Sequence, residues 1–197
     1  MNKFPTVASK SSWPTVVGVL CIIYALFGIA ANSCNVLWPW AQGPFLSMTG
    51  LKGITMPGAL ASLTIIGGVV GVGLAIVLLV SGVGVLRRRA KGFQLLRLWV
   101  IIKIIETTLA FGAGAILMDA NIEYQQSIQD ATQDLVRERG GNTGSIPIKT
   151  AEEMKRSTII MTCVMVPFMF AFPVIIGWLG SKAAWQVEVD GWEDQVA

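Results

Sequence analysis

Long apolar runs separated by short charged segments dominate the chain. No charged residue occurs between Lys10 and Lys52, none from Gly53 to Leu86, and none from Ser157 to Ser181. The first interval opens with the apolar stretch Thr15 to Ala31. A fourth run, Leu95 to Met118, is long enough to match the others but carries Lys103 and Glu106 within it. A helix that crosses the ~30 Å hydrocarbon layer needs about 20 mainly apolar residues, so each run can hold one crossing. The pattern predicts an all-α membrane protein, a four-transmembrane-helix bundle with spans at about 15–36, 57–86, 95–118 and 157–179. These lie in a membrane domain over 15–181, preceded by a short segment, 1–14, and followed by an acidic tail, 182–197. The first run, with Gly28-Ile29-Ala30 as a small-x-small site, has an alternative reading as a cleaved signal peptide. Its apolar stretch is longer than a signal core, which favours the span.

The connections divide into two kinds. Residues 37–56 read as a loop with Pro39, Pro44 and several glycines, and Trp38, Trp40, Phe45 and Leu46 give it an interfacial, membrane-hugging character. Pro57 suits the first turn of the second helix. The 119–156 segment reads differently. From Asp119 to Arg139 there is no Gly or Pro, and Ile128, Ala131 and Leu135 recur at helical spacing. The third helix is therefore expected to run on to about Arg139, where GGNTG breaks it. Thr150-Ala-Glu-Glu153 is a capping-box sequence, so the fourth helix should start near Ala151. Together they predict a helical hairpin beyond the membrane, rising about 30 Å at 1.5 Å per residue. Its plain reading is a solvated extension that caps the bundle; its functional reading is a docking surface.

Orientation follows from where Lys and Arg crowd the span ends. Lys3 and Lys10 precede the first span, and Arg87, Arg88, Arg89 and Lys91 fill the link between the second and third, whereas the 37–56 connection has only Lys52. Both termini and this basic turn are expected on the cytoplasmic side of a cell membrane, and the 119–156 hairpin opposite. The tail brings Glu188, Asp190, Glu193 and Asp194 with Trp185 and Trp192, and its acids are expected to neutralise the basic turn.

Composition agrees with lipid as the solvent: 53% of the 197 residues are hydrophobic and 14% charged, against roughly 25% charged in soluble domains. A net charge of +3 with clustered basic residues lacks the broad basic stripe of a nucleic-acid binder. There is no histidine, and the three cysteines, Cys21, Cys34 and Cys163, form no disulfide framework. No phosphate-binding loop, dinucleotide fingerprint, zinc motif or plausible catalytic triad occurs. Neither an enzyme, a cofactor nor a metal site is expected.

The residues that could carry function lie inside the runs. Lys103 and Glu106 are three apart, share a helix face and can pair. Ionisable groups within a span are costly and are functional candidates by default. Their plain reading is a self-satisfied pair between helices, with Thr107 as a further partner; their functional reading is a proton or ion relay, or a lipid-headgroup contact. Gly67 and Gly71, then Gly112 and Gly114, are small residues that allow close helix approach. Met161, Met165 and Met169 fall on one helix face, most simply as packing by a flexible side chain. In outline the arrangement is similar to that of tetraspanins, but their Cys-Cys-Gly motif and paired loop cysteines are missing, and no family is assigned. The functional expectation is a non-catalytic membrane protein acting by association. It would be a structural or accessory subunit, or a homo-oligomer joined through membrane helices or the 119–156 hairpin. The alternative is a small channel or transporter using Lys103 and Glu106.

Overall fold

A computed structural model describes residues 11–51, 53–140 and 149–192. Among these residues there are six helices: α1 (Trp13–Thr49), α2 (Gly58–Leu86), α3 (Ala90–Ile116), α4 (Met118–Glu138), α5 (Ala151–Gly180) and α6 (Ala183–Asp190). Four of them, α1, α2, α3 and α5, are long and apolar enough to span a membrane. The expectations for Lys3, Lys10, Lys52, Glu193 and Asp194 fall outside the described residues.

Helix α1 corrects the expected loop. It continues through 37–49 despite Pro39 and Pro44 and stops at Gly50, whose φ of +96° gives the left-handed cap that glycine accommodates at little cost. Each internal proline removes one backbone bond, yet the end of α1 has tertiary support. Gln42, 3% exposed, accepts a 2.9 Å hydrogen bond from the Tyr124 hydroxyl on α4, and Gly50 lies against Leu135 and Arg139. Trp38, Trp40 and Phe45 are consequently exposed on a helix rather than in a loop.

Helix α2 runs antiparallel along α1. Gly82 meets Gly18 and Cys21 at one end, and Gly68 and Gly71 meet Asn32 and Val36 toward the other. The α2–α3 turn is tightest where Gly84 and Gly92 touch backbone to backbone: a Cβ on Gly92 would lie 2.6 Å from the Cα of Gly84. Helix α5 returns along α3, with Gly177 against Val100 and Gly180 against Phe93. The core these helices share includes Leu78, Val85, Leu96 and Trp99.

A single non-helical residue, Leu117, separates α3 from α4, so the helical run expected beyond Met118 is present to Glu138. Thr150 caps α5: its hydroxyl accepts from the Glu153 N–H at 3.2 Å, and the Glu153 carboxylate accepts from the Thr150 N–H at 2.8 Å. Lys155 reaches Asp119 at 3.2 Å across the pair.

At the opposite end the tail folds back. Trp185 of α6 stacks on Trp13 at 4.1 Å between ring centroids, and Trp192 and Phe93 complete the cluster. Glu188 accepts hydrogen bonds from Ser11, Trp13 and Arg88, the last at 3.0 Å. Arg88 also donates to the Ser11 carbonyl. The expected neutralisation of the basic turn thus occurs at Arg88, which turns inward with φ of +54°, while Arg87, Arg89 and Lys91 stay exposed. Burial alone would raise the Glu188 carboxyl, but the bonds from Ser11 and Trp13 and the Arg88 charge outweigh it and hold it below its ordinary value. A carboxylate depressed on folding stabilises the fold above its unfolded pKa, and that contribution is lost as pH falls through the folded value. The tail clasp should therefore be intact at neutral pH and release in the acid range, below the ordinary glutamate value. Loss of the near-ultraviolet circular dichroism of the Trp13–Trp185 stack on acidification would report it. Glu188→Gln should weaken the same signal at neutral pH and flatten its acid dependence.

Candidate intramembrane polar site

Helix α3 places Lys103 and Glu106 on one face by their spacing of three. Lys103 Nζ donates to Glu106 Oε2 at 2.7 Å, and the Thr107 hydroxyl donates to the same oxygen at 3.3 Å. Both charged side chains are 19% exposed. The exposed part opens into two adjoining cavities, of about 340 and 410 Å³. Lys103, Thr107, Asn32, Asn35 and Met169 line both. Tyr24, Gly71 and Trp99 close the first, and Glu106, Thr64 and Phe111 the second.

The cavities sit midway along the apolar runs. Met169 is twelve residues from Ser157 and twelve from Ser181, the ends of the last uncharged run. The centre of the Gly53–Leu86 run falls between Val69 and Val70, flanked by the lining residues Gly68 and Gly71. Asn32 keeps its amide in a helix interior by donating to the Gly28 carbonyl at 2.7 Å. Gly71 has no side chain where the Asn32 side chain lies against α2.

Toward the basic turn the first cavity ends on a layer of rings. Tyr24 stacks on Phe172 at 4.2 Å, and Trp99 meets both edge-on at 6.3 and 6.1 Å. Trp99 is 1% exposed, and its indole nitrogen has no hydrogen-bond partner among the described residues. Such orphaned donors are uncommon in folded proteins and call for an explanation.

No protein family, curated protein or solved structure matches the chain. The site's own chemistry is therefore the guide to what it does. Among the described residues no three His, Cys, Asp or Glu side chains converge as metal ligands.

The remaining candidates are distributed as follows. Gly71 packs against Asn32, but a Cβ at Gly67, Gly112 or Gly114 would meet nothing within 4 Å among the described residues: Gly67 borders the second cavity, and Gly112 and Gly114 are exposed. GxxxG spacing reports small size, and only the docking of the helices decides which small face is used; here Gly84 and Gly92 are used instead. Met161, Met165 and Met169 are 56%, 40% and 52% exposed, which corrects their expected packing role, although Met169 borders both cavities. Asn32, Asn35, Thr64, Tyr24 and Trp99 were not singled out by sequence. A span ending at residue 36 has both asparagines in its last turn, whereas a helix continuing to Thr49 has them in its interior.

Proposed function

We propose that this chain is a non-catalytic multi-pass membrane protein that acts by association, as a structural or accessory subunit or as a homo-oligomer. The observation that carries the reading is the bareness of α5. Only 11% of its most apolar window is buried by the rest of the chain, the least of the four spans. Phe168 and Met161 on that helix are 71% and 56% exposed, and Pro167 and Pro173 interrupt its backbone bonding. The uncovered Gly112 and Gly114 on α3 offer a second close-approach surface. In this reading the spans form a four-helix bundle in a cell membrane, with both termini and the basic turn cytoplasmic by the crowding of Arg and Lys there. Helix α4 and the first turns of α5 form the extramembrane hairpin. A photo-crosslinking residue in place of Phe168, activated in native membranes, should yield a discrete protein adduct. Adducts to lipid alone would defeat the proposal.

A second reading, a small channel or transporter, is favoured by the cavities that Lys103 and Glu106 border. It requires a path past the Tyr24, Trp99 and Phe172 rings. Proton or ion flux in liposomes of the pure protein, lost in both Lys103→Ala and Glu106→Ala, would support it over the first; absence of flux would remove it.

A further inference from the structure

The two cavities, largely apolar but bordered by Lys103, Asn32 and Asn35, raise a question that association does not answer, namely what lies beside polar groups halfway along apolar helices. Polar groups left without partners in hydrocarbon are costly, so a site of this kind is stabilised by an occupant that brings the missing groups. The lining determines the chemistry of that occupant in three steps.

First, the site is balanced in charge. Lys103 and Glu106 pair at 2.7 Å, and Thr107 adds a donor to the same carboxylate. An anionic ligand would be repelled by Glu106 and a cationic one by Lys103, in a medium where such repulsion is only weakly screened. An uncharged ligand meets neither repulsion. Second, the lining is rich in donors. Lys103 carries three N–H groups, one of which is used by Glu106. Asn35, exposed on the wall of both cavities, brings an amide NH₂, and the buried Trp99 N–H has no acceptor among the described residues. A ligand that satisfies these donors presents acceptors, and carbonyl oxygens are acceptors that remain neutral. Third, the site is central in the apolar runs and is bordered by Met169 on the sparsely covered α5. A molecule reaching it sideways from the bilayer must itself be soluble in hydrocarbon, with an apolar tail lying along the α5 face.

We infer that the cavities around Lys103, Asn35 and Trp99 bind an uncharged, carbonyl-bearing head of a membrane-soluble amphiphile. Two kinds of molecule carry that chemistry into the bilayer interior: quinones with an aliphatic tail, and neutral glycerides. Phospholipids do not, because their charged heads keep them at the interface.

The test uses the full chain in nanodiscs of phosphatidylcholine. It is titrated with decylubiquinone, with dioctanoylglycerol and with oleate, and bound ligand is counted by native mass spectrometry. Saturable binding of one neutral probe per chain is expected, weakened about tenfold in Asn35→Leu, which removes an amide from the wall, and in Trp99→Phe, which removes the unpartnered N–H buried beside it. Asn35→Leu changes an exposed position and leaves the core untouched, so it reads binding even if the Trp99 variant folds poorly. Binding of decylubiquinone alone assigns the quinone source, and binding of dioctanoylglycerol alone the glyceride source. The inference is overturned if neither neutral probe saturates, if oleate binds more tightly than both, or if Asn35→Leu binds as the unaltered chain does.

Discussion

Gly92→Ala is expected to destabilise the fold by about 1–3 kcal/mol, the range for forcing extra volume into a packed contact. The added methyl would lie 2.6 Å from the Gly84 Cα and 2.8 Å from the Val85 nitrogen, both main-chain atoms. A flexible side chain could swing away from such a clash. Two helix backbones joined by a turn as short as Arg87–Arg89 can separate only by disturbing the core beside them. Phe93 and Val85, 3% and 0% exposed, would lose their packing in the same movement. Gly67→Ala is the matched control, because nothing lies within 4 Å of the added atom. Alanine there should be neutral or stabilising by up to about 1 kcal/mol, since glycine is the poorer helix former. Unfolding in mixed micelles with increasing dodecyl sulfate, followed by helical circular dichroism, measures both. Equal midpoints for the two variants would show that the Gly84–Gly92 contact does not hold α2 to α3.

Those two glycines also mark the limit of what the amino-acid order reveals. The spans were legible because hydrocarbon demands length with little or no charge: three runs meet it without a charge, and the fourth is long enough despite Lys103 and Glu106. The start of α5 was legible because a capping box is a local device: Thr150 and Glu153 satisfy each other's orphaned groups whatever the rest of the chain does. The continuation into α4 was legible for the same reason, as a run without Gly or Pro. What failed was anything decided by a distant partner. Pro39 and Pro44 signal a loop when judged by their neighbours alone, but Tyr124, far along the chain, bonds Gln42 and supports the helix end. Moving that boundary from 36 to Thr49 changes the meaning of Asn32 and Asn35, from residues in the last turn of a span to residues in a helix interior. The candidate site was thus half visible. Lys103 and Glu106 announce themselves as charges in an apolar run, whereas the amides, the hydroxyl of Thr64 and the Trp99 indole become a site only when α1, α2, α3 and α5 are brought together.

The pair on α3 supplies the sharpest energetic expectation. Lys103→Met should destabilise the protein by about 3–5 kcal/mol, and Glu106→Leu by a similar amount, because each leaves an uncompensated charge in a low-dielectric setting. Changing both together should cost far less than the sum and could come out neutral or stabilising, since the desolvation penalty of two ions disappears with their attraction. A double-mutant cycle, with each variant's unfolding midpoint measured in the same mixed micelles, gives the coupling directly. The geometry favours a large value: the contact is 2.7 Å, both side chains are 19% exposed, and they sit three apart on a helix that already fixes their positions. Partial access through the cavities works the other way, letting water or a ligand carbonyl solvate whichever charge survives. The size of the coupling therefore measures how wet the site is. A coupling near 3 kcal/mol or above describes a dry pair that chiefly satisfies itself. A value below about 1 kcal/mol, the usual worth of exposed ion pairs, means that the surviving charge finds other partners in the cavities.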